Sequence, residues 1–129
     1  MFTKEAERSE YDLQLKIYNM EIVNIPRPIS YDEKTKQLTM ETVVGLTVSD
    51  FYGNENPVPA SAFDIIRDIL QALADNGIEY IDITGYNFMI DNNEEFWIID
   101  VEHAEKKEIT NWFLIDFLDG YNGWNPDFL

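Results

Sequence analysis

The chain has 129 residues, 45% of them hydrophobic and 14% aromatic, and no cysteine. That length and composition suit one folded domain with a core of its own and exclude a disordered chain or a disulfide scaffold. Its 25 acidic residues against 9 basic ones give a net charge of −16, a surface that repels nucleic acid and anionic membrane and suits a basic protein partner, or nucleic-acid mimicry.

The N-terminus, M-F-T-K-E-A-E-R, is charged and has no apolar core of a signal peptide. No run approaches ~18 apolar residues, so no membrane span is expected and a cytoplasmic location fits. Leu13, Ile17 and Met20 recur at helical spacing, with Ala6 and Glu10 one and two turns back. They predict a helix from Thr3 to Glu21. Asn24 to Pro28 ends it, because proline cannot continue a helix. Ile29–Asp32 and Leu38–Val43, joined by Glu33–Lys36, predict a β-hairpin that Gly45 terminates. Leu46 to Tyr52 is read as a short helix, and 53–59 as a loop. Ser61 is expected to cap a helix with Asp64 three residues on. Ile66, Leu70 and Leu73 form the apolar stripe of that helix, widened by Ile65 and Ile69, and Asn76-Gly77 stops it.

The stretch from Tyr80 to Ala104 carries the chemistry. Phe88–Ile90 and Phe96–Ile99 flank the polar turn Asp91–Glu95 and predict a second hairpin. Asp82 and Asn87 precede its first strand and Asp100 ends its second. A hairpin returns its chain to its start, so these three oxygen-bearing side chains are expected at one end of a small sheet. His103, the lone histidine, reads as a surface or hydrogen-bonded residue. Thr110 is expected to cap a last helix, Asn111 to Leu118. The aromatic tail after it is expected to pack back on the domain, with a docking peptide as the alternative.

Tyr80-Ile81-Asp82, four residues, Asn87, then a hairpin and Asp100 resemble the catalytic core of the protein-kinase-like superfamily, which carries H-x-D-x-x-x-x-N and a second Asp. The wording D-I-T-G-Y-N is similar to small atypical kinases. Tyr80 departs from the usual His, and Val101-Glu102 from the usual Phe-Gly. The resemblance implies that Asp82 orients or deprotonates an acceptor hydroxyl, and that Asn87 and Asp100 hold Mg²⁺ on the phosphates of ATP. It covers residues 5 to 104. It implies Met40 as the residue before the hinge, Glu41 to Val43 as the hinge facing adenine, Met89 as the apolar floor beneath it, and Glu10 as the helix acid, with Glu7 as a rival.

The expected fold is α+β: a trimmed kinase-like single domain of two β-hairpins and three or four helices. Residues 1–45 would be the remnant of the upper lobe and hinge, and 46–129 a reduced lower lobe. The family's glycine-rich loop and strand Lys are expected to be missing, so Glu10 has no evident Lys partner. The function implied is Mg²⁺-nucleotide binding, with phosphotransfer weak or dependent on a partner. Two alternatives are a catalytically inactive protein-binding module of the same fold, and an acidic inhibitor or nucleic-acid mimic.

Overall fold

The computed structural model describes residues 1–53 and 57–129. Positions 54–56 of the expected loop lie outside the described residues. The elements are β1 (Phe2–Glu5), α1 (Arg8–Met20), β2 (Pro28–Asp32), β3 (Gln37–Met40), β4 (Gly45–Thr47) and α2 (Val48–Tyr52). There follow α3 (Ala60–Asp75), β5 (Ile78–Tyr80), β6 (Phe88–Asp91), β7 (Phe96–Ile98), β8 (Ala104–Lys106), α4 (Trp112–Leu118) and a 3-10 turn, Pro126–Phe128. The described residues form an α+β fold of four α-helices and three antiparallel sheets, ordered β1-β3-β2, β4-β6-β7 and β5-β8.

The N-terminus differs from expectation. The helix begins at Arg8, not Thr3, and residues 2–5 form an edge strand on β3, with Phe2 opposite Met40 and Thr3 opposite Thr39. The two threonine hydroxyls lie 3.1 Å apart. A helix needs only local contacts, whereas this strand needs a partner beyond the first helix, which helical periodicity does not register. Of the expected stripe, Ile17 and Glu10 are buried, Leu13 and Met20 only partly, and Ala6 precedes the helix. α1 buries Glu10, Gln14 and Ile17, and the Gln14 amide donates to the Pro26 carbonyl at 2.9 Å.

The first hairpin forms as β2 and β3, but its second strand ends at Met40, which leaves 41–44 as an open crossing segment. Gly45 starts a strand instead of breaking one: Gly45–Thr47 pairs with Asp91–Met89 of β6. A Cβ on Gly45 would stand 2.1 Å from the Ile90 carbonyl oxygen, so this close approach requires glycine. Only Val48–Tyr52 of the expected short helix is helical, capped by the Thr47 hydroxyl on the Asp50 N–H at 3.1 Å. α3 starts one residue before Ser61. Its cap position is Pro59, with no side-chain bond. Proline presets the backbone torsion there, so Ser61 lies inside the first turn.

The second hairpin forms as read, with Phe88 opposite Ile98. Its turn is pinned by Asp91, whose carboxylate accepts from the Asn93 N–H (2.8 Å), the Glu95 N–H (2.9 Å) and the Trp97 indole (2.8 Å). The main core joins Ile17 of α1, Ile66, Leu70 and Leu73 of α3, Phe88, Ile90 and Ile98 of the hairpin, and Phe113 and Phe117 of α4. A smaller cluster, Ala6, Leu38 and Met40, lies under β1 and β3. No helix among the described residues is long and apolar enough to cross a membrane.

Candidate active site

The site is built where β5, the second hairpin and α1 converge. β5 delivers the chain into 81–87, a segment of tight turns: the Ile83 N–H donates to the Ile81 carbonyl (2.9 Å) and the Thr84 N–H to the Asp82 carbonyl (3.1 Å). The buried Asn87 amide nitrogen also donates to the Asp82 carbonyl, at 2.9 Å. Across the hairpin, the Asn87 carbonyl accepts from the Ile99 N–H at 3.1 Å, beside Asp100. Asp82 and Asn87 are therefore bonded to one another, and Asp100 begins next to the residue that bonds Asn87.

Tyr80 links the two halves. It is fully buried, and its hydroxyl donates to the Asp100 carbonyl at 2.7 Å. Burial, with Asp100 and Asp82 adding to it, pushes its phenol well above the usual range and keeps it a donor. The residue that departs from the family's His thus ties the Asp82 segment to the Asp100 segment. Burial also raises the Asp82 carboxyl above the ordinary aspartate range, opposed by Asn87 and by His103. The His103 Nε2 lies 4.0 Å from an Asp82 oxygen, and the ring packs against Phe128.

The expectation that Glu10 lacks a lysine is corrected by the structure. Lys4 of β1 is ion-paired with Glu10 of α1 and lies 3.5 Å from Asp100. Glu7, the rival acid, points outward and pairs with Lys36 at 3.1 Å. Burial opposes the charge on Lys4, yet its bonds to Glu10 and Asp100 prevail and hold its pKa above the usual lysine range. Burial raises Glu10 in turn, with Lys4 opposing. The sequence did carry a signal for Lys4, a lysine between alternating Thr3 and Glu5, six residues before Glu10. The helical reading absorbed it.

Two other groups surround this network. Glu10, Asp100 and Glu102 each bring a carboxylate oxygen within 4.8 Å of the others, and the Lys4 ammonium pairs with the first two. Beside it lies a cleft of about 250 Å³ lined by Phe2, Met40, Glu41, Val43, Met89 and Ile99. The sequence-predicted Met40, Glu41, Val43 and Met89 thus share one cleft, to which β1 contributes Phe2, β3 Met40 and β6 Met89. Hard oxygen donors beside a lysine, next to a largely apolar slot, are a donor set that fits a magnesium-bound nucleotide.

Fold and constellation together define a protein-kinase-like domain. The model of the RIO domain family matches residues 1–115, and the chain belongs to that family. It is similar to a 3-deoxy-D-manno-octulosonic acid kinase of Vibrio parahaemolyticus serotype O3:K6 (strain RIMD 2210633), with 26% identity over 112 residues. The match takes in 80% of this chain and 45% of that kinase, so the chain spans less than half the length of this curated relative. Two crystal structures of WbdD share the fold. One superposes with a TM-score of 0.64 at 20% identity, over 87% of this chain and 28% of the other. The second, a co-crystal with the kinase inhibitor LY294002, gives 0.58 at 21% identity, over 78% and 25%.

Proposed function

We propose that the chain binds a magnesium-bound nucleotide, ATP above all, and that its phosphotransfer is weak unless a partner completes the site. The observation that carries this reading is Lys4, held between Glu10 and Asp100, with Phe2 two residues before it on β1 and Ile99 next to Asp100 both lining the Met40–Met89 cleft. A structural ion pair has no need to sit there. In this reading the backbone of Glu41 to Val43 meets the base, and Met40 and Met89 pack on its faces. Lys4 neutralises phosphate oxygens. Asn87 and Asp100 hold the metal, which when bound supplies charge neutralisation on the phosphates. Asp82 orients the acceptor hydroxyl and takes its proton, a role suited to a carboxyl whose pKa burial has raised.

The binding test is thermal melting at millimolar ATP, with and without Mg²⁺. A ligand in tenfold excess over its dissociation constant stabilises the folded chain by about 1.4 kcal/mol. We expect an upward shift that needs Mg²⁺ and is lost in Asp100→Asn and Lys4→Met. No Mg²⁺-dependent shift, or an equal shift in both variants, would overturn the reading and leave the inactive protein-binding module in its place.

A further inference from the structure

We propose that Asn125, outside the segment that matches the family, is a positioning residue for Asp82. The inference rests on the role given to Asp82 above. Asn125 is fully buried. Its side-chain nitrogen donates to the Ile81 carbonyl at 2.8 Å, and its backbone N–H donates to the Ile83 carbonyl at 2.8 Å. Those carbonyls flank Asp82, whose own carbonyl accepts from Asn87. Three consecutive carbonyls of the 81–83 turn are thus each held by an asparagine. The segment has no strand ladder of its own, so these bonds fix which way its peptide planes face, and with them the direction of the Asp82 side chain.

The brace is itself anchored. The Asn125 side-chain oxygen accepts from the Asp127 N–H at 3.0 Å, which fixes the amide's orientation. Trp124 packs on Phe63 of α3 with ring centroids 4.8 Å apart. Arg67, also on α3, donates to the carbonyls of Phe117 (2.6 Å) and Tyr121 (3.0 Å) and to the Asn122 side chain (2.6 Å). The chain after α4 is therefore tied to α3 at several points before it reaches the Asp82 turn. A tail that only covered apolar surface would not need a buried asparagine whose side-chain amide and backbone N–H each meet a carbonyl of that turn.

The test compares the full chain with Asn125→Asp and Asn125→Ala. The Asp variant keeps size, the Asp127 acceptor and the backbone bond to Ile83. It replaces the donor to Ile81 with a carboxylate oxygen that repels that carbonyl. We expect amide hydrogen exchange at Ile83, Thr84 and Asn87 to accelerate at least tenfold in Asn125→Asp, while the amides of Ile66 to Leu73 in α3 keep their rates. Mg²⁺-ATP affinity should stay within about threefold, because the cleft and Lys4 are untouched, whereas turnover at saturating ATP should fall at least tenfold. Unchanged exchange in the 81–87 turn, or equal acceleration throughout the fold, would overturn the proposal. So would a loss of nucleotide affinity with turnover per bound complex unchanged. If the unmodified chain binds no nucleotide, the nucleotide reading fails and the exchange arm still decides the brace. Asn125→Ala removes both side-chain bonds together with the volume and should accelerate exchange in the same turn at least as much; acceleration in Asn125→Ala with none in Asn125→Asp would show that the side chain acts only as filler and would overturn the proposal.

Discussion

Single residues in this chain act mostly by satisfying backbone groups. Glu79 is buried on β5, and its carboxylate accepts from the N–H groups of Thr110 and Asn111 at 2.8 and 2.9 Å, with Lys107 at 3.5 Å. Burial works against its charge, but the two N–H groups and Lys107 outweigh it and lower its pKa below the ordinary glutamate value. A carboxylate whose folded pKa is depressed stabilises the fold above its unfolded pKa, and that contribution is lost as pH falls through the folded pKa. Glu79→Ala should therefore cost about 1–3 kcal/mol at neutral pH, measured by urea unfolding. The gap to the unmodified chain should narrow only below the ordinary glutamate range. A gap of constant size down to strongly acid pH would mean that the charge plays no part. Glu79 carried no sequence signal, because its partners arrive with the connection into α4. Lys4 was visible as a residue but assigned to a helix, since its strand partner Leu38 comes after α1.

At the scale of elements, α3 shows how far periodicity reaches. Ile66, Leu70 and Leu73 are buried as the stripe predicts, and Ile69 with them, whereas Ile65 is 42% exposed. Leu70→Ala should cost about 2–5 kcal/mol through lost burial and a residual cavity. Ile65→Ala should change stability by no more than about 0.5 kcal/mol. Chemical denaturation separates the two, and a loss at Ile65 as large as that at Leu70 would contradict the observed face. The Phe88–Ile98 hairpin was legible because its register is set by a local turn. The three-residue strands β4, β5 and β8 were not: each is too short to show alternation, and each pairs with a distant segment.

At the scale of the whole molecule, the net charge of −16 sets solution behaviour. Self-repulsion within a compact acidic chain weakens as salt shortens the screening length from about 30 Å at 0.01 M to about 8 Å at 0.15 M. The melting temperature should rise across that range, by about 2–8 °C for each kcal/mol relieved; a fall would show that attractive pairs such as Lys4–Glu10 dominate. A basic partner protein remains our proposal for what that surface recruits. A basic polypeptide should be captured at low salt and released as salt rises. Phosphotransfer by these 129 residues should stand well below the ~1–100 s⁻¹ of ordinary kinases. Lys4 would neutralise phosphate oxygens in the function proposed above, but the residues described include no glycine-rich loop. Each missing preorganised donor costs roughly 10²–10³ in rate. Labelled ATP with generic acceptors, and Asp82→Ala as the blank, measures this; turnover in the ordinary range would show the loop to be dispensable.

The sequence by itself determined the features written in short-range pattern. These are the α1 and α3 faces, the turn of the second hairpin, and the order Asp82, Asn87, Asp100 with its kinase-like spacing. Each depends on residues within one element or one turn, so spacing alone reports it. Tertiary structure decided what joins those parts. Lys4 reaches Glu10 only because residues 2–5 pair with β3 instead of extending α1. Tyr80, which departs from the usual His, reaches the Asp100 carbonyl from β5. Asn125 finds the Ile81 and Ile83 carbonyls only after the chain has turned back from α4 over α3. Contacts of that range are closed by packing of the whole core, and no local periodicity encodes which distant partner a buried donor will meet.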